Sequence, residues 1–180
     1  MVSVTGKNLL LTGPPGCGKT TVVRRLAERL RDLRLRGFYT EELRERGQRV
    51  GFEAMSLSGR KAILAHVQSR SRCRVGRYGV EPDQLEPLVE EELAGTGTAD
   101  VCLIDEVGKM ELFCPAFVEA VPKLLDGAVP VVLTVAQKGQ GLIAQVKARA
   151  DVRLVTVTEA NRDGLPEELE RWVWDRLRSR

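Results

Sequence analysis

The sequence predicts an α/β domain in three layers, with a mainly parallel central sheet, helices on both faces and an inserted antiparallel meander. Three observations support this fold class. The chain opens on an apolar strand, a glycine-rich loop and a helix, and its second half alternates apolar runs with helical segments. Between these parts, residues from about 36 to 80 show the partial alternation and the turn residues of a meander. With 180 residues, the chain is predicted to form one domain over 1–180.

The first unit contains the residues that a phosphate-binding loop needs. Residues 8–12 form a short apolar run typical of a buried strand, and the apolar positions of 19–33 recur on one helical face. Between them lies a complete G-x-x-x-x-G-K-S/T motif, made of Gly13, Pro14, Pro15, Gly16, Cys17, Gly18, Lys19 and Thr20.

Each part of this loop has a physical role in binding a polyphosphate. The glycines let the backbone turn tightly and aim its N–H groups at phosphate oxygens, and the following helix adds its positive N-terminal end. Lys19 can reach the β- and γ-phosphates, and Thr20 can ligate Mg²⁺. The loop therefore predicts binding of a nucleoside triphosphate, against the alternative of a glycine-rich turn without a ligand.

The middle of the chain predicts a meander and a helix. Strands are expected over 37–42, 49–57 and 62–66, separated by polar turns near 45–48 and 58–60. A helix is expected over 83–94, because Pro87 falls early enough to be tolerated, and the glycines at 95 and 97 end it.

The second half alternates strands with helices, which predicts βαβ units and parallel strands. The expected strands cover 101–104, 129–135 and 152–157, and the expected helices cover 115–125, 142–148 and 166–178. Trp172 and Trp174 are two positions apart on the last helix, so only one of them is expected to face the core.

Two acids follow the apolar run at 101–104. Carboxylates at the carboxyl end of a parallel strand face the crevice where ligands bind. Asp105 fits the role of holding Mg²⁺, and Glu106 can orient or deprotonate a water that attacks the γ-phosphate. The predicted chemistry is therefore hydrolysis, and the alternative is an acidic pair that only caps the next turn.

The residues after these acids carry further candidates. Gly108 allows a close backbone approach to the nucleotide. Lys109 can touch a phosphate, pair with an acid or lie free on the surface. Glu111 can support the water or stand as an ordinary acid at a helix N-terminus.

Together these stretches resemble the THEP1 family of small nucleoside-triphosphatases, which have a RecA-like P-loop core. The matching segments are LTGPPGCGKTT at 11–21, GFYTEE at 37–42, LSG at 57–59, CRVG at 73–76, IDEVGKMELF at 104–113 and VTEANR at 157–162. They occur in order and span nearly the whole chain.

The resemblance implies slow, Mg²⁺-dependent hydrolysis of ATP, GTP, CTP and UTP to diphosphates. It also implies two nucleotide-binding stretches. One is the loop at 13–20, and the other comprises Leu103, Ile104, Asp105, Glu106, Val107, Gly108, Lys109 and Met110.

Arginines raise two open questions. Asn161 and Arg162 follow the last strand, where Arg162 can stack on any base without reading its edge or can face solvent beside a helix N-cap. Arg74 or Arg77 can stabilise charge on the γ-phosphate or can be a salt-bridged surface arginine.

The bulk composition excludes several classes of protein. A net charge of +3, from 28 basic and 25 acidic residues, is too balanced to predict nucleic-acid binding. No apolar run approaches the ~20 residues of a membrane span, and residues 1–7 lack the apolar region of a signal peptide, so we expect a cytoplasmic protein without a membrane partner. The 4 cysteines and 1 histidine predict neither a disulfide framework nor a zinc site. The oligomeric state stays open, with a monomer favoured.

Two other functions share the P-loop. A small-molecule or nucleotide kinase would need a second pocket for the phosphate acceptor, and a water activated by Glu106 would waste its triphosphate. A nucleotide-operated binding module would use slow hydrolysis to reset a switch, with the meander as the surface for its partner.

Overall fold

Nine strands form one continuous sheet in the computed structural model, which describes residues 6–94 and 96–179. Within these residues the strands are β1 Asn8–Thr12, β2 Leu35–Glu45, β3 Gln48–Ser56, β4 Lys61–His66, β5 Arg74–Val75, β6 Tyr78–Val80, β7 Val101–Val107, β8 Val131–Val135 and β9 Val152–Thr156. The helices are α1 Lys19–Arg29, α2 Pro82–Leu93, α3 Pro115–Asp126, α4 Leu142–Lys147 and α5 Leu165–Arg178. Single 3₁₀ turns cover Thr96–Thr98 and Glu111–Phe113. The predicted helix stop at Gly95, and most of the segment 1–7, lie outside the described residues.

The order of the strands confirms the predicted mainly parallel sheet and the inserted meander. From edge to edge the sheet runs β5-β6-β4-β3-β2-β7-β8-β1-β9. The half formed by β2, β7, β8, β1 and β9 is parallel throughout, while the meander pairs are antiparallel. Counted in chain order, the parallel strands lie as 5-1-4-3-2, so β8 lies between the strand that leads into the P-loop and the strand that carries the acids.

The three layers follow from alternation of side chains along the buried strands. Leu10 of β1 packs with the helices α2, α3 and α4 on one face, while Leu9 and Leu11 pack with α1 and α5 on the other. In β7, Cys102 and Ile104 take the first face and Val101 and Leu103 take the second. These strands are apolar at nearly every position because both faces are covered.

The meander extends the main sheet rather than forming a separate one, because β2 pairs with β7 on one side and with β3 on the other. Arg46 and Gly47 join β2 to β3 with φ angles of 48° and 79°, as a two-residue hairpin turn requires. The short strands β5 and β6 were not predicted one by one, although they fall within the expected range of 36–80. A small third apolar cluster is formed by Ala65 of β4 with Tyr78 and Val80 of β6.

Two element boundaries differ from the prediction. Helix α1 ends at Arg29 rather than at residue 33. Leu30 and Leu33, which continue its apolar pattern, lie in the turn that follows, where Leu33 N donates to Leu30 O at 2.9 Å. Strand β7 continues through Asp105 and Glu106 to Val107, so the acids lie inside the strand rather than after it. Its pairing with β8 is interrupted between Ile104 and Val107, which takes the two acids out of the regular ladder.

The last helix separates its two tryptophans as expected. Trp172 is 3% exposed and packs against α1 and β1, whereas Trp174 is 39% exposed. Among the described helices, none is both long and apolar enough to cross a membrane.

Candidate active site

The P-loop leaves β1 at Thr12 and ends where α1 begins. Gly13 and Gly18 have φ angles of 155° and 107°, a conformation that side chains other than glycine rarely adopt. Lys19 is 9% exposed, and its Nζ donates to the carbonyl oxygens of Gly13 at 3.1 Å and Pro14 at 3.4 Å. The ammonium group of Lys19 is therefore held by backbone carbonyl groups of the P-loop itself.

Asp105 is almost fully enclosed, at 1% exposure. Three threonine hydroxyls reach its carboxylate from three different elements. Thr20 of α1 donates to Oδ2 at 2.7 Å, Thr40 of β2 to Oδ2 at 3.4 Å, and Thr134 of β8 to Oδ1 at 2.6 Å. The hydroxyl of Thr20 and the carboxylate of Asp105, which the sequence predicts as Mg²⁺ ligands, are thus adjacent.

These groups fit a small, hard cation. Mg²⁺ prefers oxygen ligands and is usually held by one or two carboxylates together with substrate phosphates. The described residues contain no cluster of three or more acidic, cysteine or histidine ligands, so a cation here would depend on the nucleotide for its other ligands. Burial raises the pKa of Asp105, while the hydroxyls of Thr134 and Thr20 and the charge of Lys19 oppose that shift.

Glu106 lies beside Lys19 at the edge of the same cleft. Its Oε2 is 3.6 Å from Lys19 Nζ, and its side chain is 30% exposed. Burial raises the pKa of Glu106, the charge of Lys19 lowers it, and the charge of Asp105 raises it further. A carboxylate that is only partly hydrated is a stronger proton acceptor than one in water, as a general base requires.

A cleft of about 810 Å³ joins these groups, within the usual size range of small-molecule sites. Its walls come from the P-loop, α1, the meander and the segment after β7; the lining residues include Pro15, Gly16, Gly18, Lys19, Thr20, Thr40, Glu106, Gly108, Lys109, Met110 and Glu111. Leu103, Ile104 and Val107 are fully buried and support the acids from within the sheet, so their side chains do not line the cleft. Cys17 is 7% exposed and lies behind the loop.

Glu111 does lie at a helix N-terminus, as one of its two interpretations has it, but its side chain is buried. It lies in the 3₁₀ turn before α3, is 5% exposed, and lines the cleft near Glu106. Burial raises its pKa to about 8, the amides of Glu111 and Gly108 oppose this, and the charges of Glu106 and Asp105 add to it.

The loop after β9 lies against the P-loop. A Cβ built on Gly18 would be 3.1 Å from Cδ of Arg162, so the Arg162 side chain lies over the loop. The side chain of Asn161 is used within its own turn, where it accepts from Thr158 N at 2.8 Å and donates to Thr156 O at 2.9 Å. Asn161 thus shapes the loop that presents Arg162.

Arg74 and Arg77 do not line the cleft, although Val75 between them does. Arg74 donates to the carbonyl oxygens of Ser69 and Arg77, and Arg77 donates to the carbonyl oxygen of Arg49. The arginines that do line the cleft are Arg24, paired with Glu41 at 3.2 Å, and Arg49, paired with Glu42 at 2.8 Å. Spacing alone could not identify these two, because they come from different elements.

Thr40 and Thr134 are site residues that the residue-by-residue reasoning missed. Thr134 lies in a fully buried apolar strand, where a lone threonine is an ordinary β-strand residue. The sequence feature that could have pointed to Thr134 is a polar residue within a strand that is otherwise apolar and buried. Thr40 lies within GFYTEE, a stretch that only the family resemblance singled out.

Comparison with known proteins agrees with this geometry. A protein-family model described as NTPase matches residues 8–170. A protein of Thermofilum pendens named Nucleoside-triphosphatase THEP1 is 44% identical over 176 residues, which cover 94% of this chain and 97% of that protein. The protein of the same name from Natranaerobius thermophilus is 42% identical over 178 residues, 97% of this chain and 100% of its own length. This chain belongs to the THEP1 family.

The solved structures extend the comparison to three dimensions. The crystal structure of THEP1 from the hyperthermophile Aquifex aeolicus matches with a TM-score of 0.80 at 34% identity, over 92% of this chain and 98% of the other. The predicted resemblance and the predicted P-loop fold are both confirmed. In this chain the fold brings together Lys19, the hydroxyl–carboxylate pair of Thr20 and Asp105, and Glu106.

Proposed function

We propose that this chain is a Mg²⁺-dependent nucleoside-triphosphatase that hydrolyses ATP, GTP, CTP and UTP slowly to the diphosphate and phosphate. Its membership of a family named for nucleoside-triphosphatase activity supports the general reaction. The single observation that carries the proposal is the position of Glu106 Oε2, 3.6 Å from the P-loop lysine and in the same cleft.

In the proposed reaction the loop amides and Lys19 bind the β- and γ-phosphates. Lys19 exchanges its contacts with Gly13 and Pro14 for phosphate oxygens, which carry full negative charge and accept more strongly than carbonyls. Thr20 and Asp105 would hold Mg²⁺, whose charge, when it is bound, neutralises the phosphate oxygens. The residues act mainly by positioning and by stabilising charge.

Glu106 completes the reaction by acting on water. When Lys19 moves to the phosphates, Oε2 of Glu106 loses its cationic neighbour and is free to accept a proton from water. The water oxygen then bonds to the γ-phosphorus, and the bond from this phosphorus to the bridging oxygen breaks. The diphosphate leaves with that electron pair, and no acceptor other than water is required.

Broad base tolerance fits the location of Arg162. Its side chain lies over Gly18 of the phosphate-binding loop, within reach of a nucleotide whose phosphates that loop holds. A planar guanidinium stacks on any base without reading the donors and acceptors at its edge. We therefore assign Arg162 to the base and Asn161 to the shape of its loop.

The test is phosphate release with each of the four nucleotides, measured for wild type, Lys19→Ala and Glu106→Gln. Lys19→Ala is expected to lose nucleotide binding. Glu106→Gln is expected to bind normally but to lose about 10²–10⁴-fold in kcat, the range for a general base. Lys123→Ala, on the exposed face of α3, is the matched control and should behave as wild type. A fully active Glu106→Gln would refute the role given to Glu106.

One observation favours a phosphotransferase as the second candidate. The cleft continues past Glu106 to the meander, where Phe52, Leu64 and Val75 line space that a second molecule could fill. Incubation with Mg²⁺-ATP and no acceptor separates the two. Phosphate release supports the hydrolase, and an absence of release combined with phosphorylation of added nucleosides or nucleoside monophosphates supports the kinase.

A further inference from the structure

Positive charge is concentrated in the meander at one end of the sheet. Residues 36–80 contain 10 lysines and arginines and 4 acids, whereas the rest of the chain contains 18 basic and 21 acidic residues. Within this part, residues 66–80 hold no acid at all but carry four arginines, at Arg70, Arg72, Arg74 and Arg77. The nearly balanced charge of the whole chain therefore hides a strong local excess.

The segment 69–77, which we call the arginine segment, joins β4 to β6 and includes β5. Exposure alternates along its first half: Arg70, Arg72 and Arg74 are exposed, and the residues between them are half-buried. On the inner side, Cys73 and Val75 pack against the apolar cluster under β4 and β6. The three arginines therefore project together from the outer side.

Two serines hold the backbone of this segment in place. The hydroxyl of Ser69 accepts from Ser71 N at 3.0 Å, and the hydroxyl of Ser71 accepts from Cys73 N at 3.1 Å. Such local bonds fix a loop in one conformation. Ser69 also lies directly on β6, because a Cβ built on Gly79 would be 2.5 Å from its hydroxyl oxygen. The arginines are thus presented from an ordered backbone.

No carboxylate neutralises these arginines. Among the residues that the structure describes, Arg70 and Arg72 have no hydrogen bond and no ion pair. Arg74 donates to the carbonyl oxygens of Ser69 and Arg77, and Arg77 donates to that of Arg49. Four like charges therefore lie close together, and their combined field attracts an anion with several charges.

The character of this surface favours a nucleic acid over a membrane or a protein. Guanidinium groups match the oxygens of a phosphate in pairs. Membrane surfaces and protein interfaces also take up apolar side chains. Among the described residues, however, the exposed large apolar side chains are Phe113, Leu154 and Trp174, and none lies here. Tyr78 is 7% exposed under Arg77, so bases find no aromatic ring to stack on.

We infer that the arginine segment binds the phosphate backbone of a nucleic acid without reading its bases. Arg70, Arg72 and Arg74 contact successive phosphates, and Arg77 adds its charge beside them. This is a second binding activity of the chain, separate from the groups of the proposed reaction. Its place next to the cleft follows from Val75, whose inward side chain lines that cleft.

The test measures binding to labelled RNA strands of uridine or adenosine by fluorescence anisotropy. Saturating ADP is present, so that the P-loop is not available to RNA phosphates. The dissociation constants for the two strands should agree within about threefold. With three to four phosphate contacts, affinity should fall by about 20- to 50-fold between 50 mM and 200 mM salt, from a slope of about −0.7 per contact for a single strand.

Two double variants with the same loss of charge locate the site. Arg70→Gln/Arg72→Gln should weaken binding by about 10- to 100-fold at 50 mM salt and reduce the salt slope by about 1.4. Arg31→Gln/Arg171→Gln removes two exposed arginines without ion partners, after α1 and in α5, and should bind RNA as wild type does. Phosphate release should be unchanged in both, since none of the four lines the cleft.

A third variant tests the presentation of the arginines instead of their charge. Ser69→Ala/Ser71→Ala keeps every arginine but frees the backbone that carries them. Binding should weaken by about 2- to 10-fold, because side chains that are no longer fixed must be ordered on binding, and the salt slope should not change. Wild-type affinity of this variant would contradict the part given to the serines.

Several results would overturn the inference. They are an absence of RNA binding at 50 mM salt, an equal loss in the two arginine double variants, and dissociation constants that differ more than about tenfold between the two strands. Tighter binding to anionic lipid vesicles than to RNA would assign the segment to a membrane surface instead. Polyglutamate that binds as tightly as RNA would show attraction between charges without recognition of phosphate.

Discussion

At the scale of single residues, the decisive arrangement is the set of hydroxyls around Asp105. Thr20, Thr40 and Thr134 donate to a carboxylate that is 1% exposed. Each hydrogen bond stabilises the ionised form against the cost of burial. In the proposed Mg²⁺ complex, where Thr20 would turn to the cation, Thr134 would remain as the short contact that fixes the direction of Asp105.

We predict that Thr134→Val raises the Mg²⁺ concentration needed for half-maximal hydrolysis by about 10-fold, the lower end of the effect of losing a partner of a metal ligand. Valine keeps the shape of threonine but cannot donate to Oδ1 of Asp105. Thr134→Ser, which keeps the hydroxyl, is the control. Titration of phosphate release with Mg²⁺ measures the effect, and equal requirements for the valine and serine variants would contradict it.

At the scale of elements, α2 is attached to the meander by one buried acid. Glu92 is fully buried and accepts from the backbone N–H of Gly37 at 2.9 Å and from the hydroxyl of Ser58. It therefore joins α2 to the start of β2 and to the turn between β3 and β4. Because β2 also carries Thr40, this contact supports the strand that reaches Asp105.

Glu92→Ala should destabilise the protein by about 2–3 kcal/mol, because it leaves the buried amide of Gly37 without an acceptor. The neighbouring Glu91 pairs with Arg60 on the surface, and Glu91→Ala should cost less than about 1 kcal/mol. Urea unfolding monitored by circular dichroism gives both values, provided that the m-value is unchanged. The expectation fails if the two variants unfold at the same urea concentration.

At the scale of the whole molecule, the sheet gathers Asp105, Glu106 and Glu111 around one lysine in a poorly hydrated cleft. Burial raises the pKa of all three. Lys19 and the hydroxyls compensate Asp105 and Glu106, but no cation among the described residues compensates Glu111. Burying these three acids therefore lowers the stability of the folded protein at neutral pH.

This arrangement predicts a pH-dependent difference between wild type and Glu111→Gln. The pKa of Glu111 rises from its ordinary 4.5 to about 8 in the folded protein. The folded state then holds a proton that the unfolded state has lost, so the stabilisation is complete below pH 4.5 and is lost as the pH rises to about 8. The full change is up to roughly 5 kcal/mol, and glutamine lacks it.

Thermal unfolding of both proteins between pH 5 and pH 8.5 shows whether the stability difference changes with pH in the predicted direction. The stability of Glu111→Gln relative to wild type should increase with pH, while that of Glu119→Gln should stay level, since Glu119 is exposed. A pH-independent difference for Glu111→Gln would mean that the carboxyl titrates normally in the folded protein.

The sequence predicted most elements because their signals are local. The P-loop follows from a motif, and the parallel strands follow from apolar runs, since both of their faces are covered. It missed β5 and β6, which are too short for a pattern, and it ended β7 at residue 104, because an acid ordinarily marks the end of a buried run. The two acids remain in the strand because Thr20, Thr134 and Lys19 surround them.

By itself, the sequence determined that this protein has a polyphosphate-binding loop, that a carboxylate pair follows a buried apolar run, and that the family is THEP1. Motif spacing and short-range periodicity carry that information. Only the tertiary structure decided which residues meet: Thr40 and Thr134 at Asp105, Arg24 and Arg49 in the cleft instead of Arg74 and Arg77, and Glu111 beside Glu106. These contacts join distant parts of the chain through the order of strands in the sheet, and no local pattern of residues records that order.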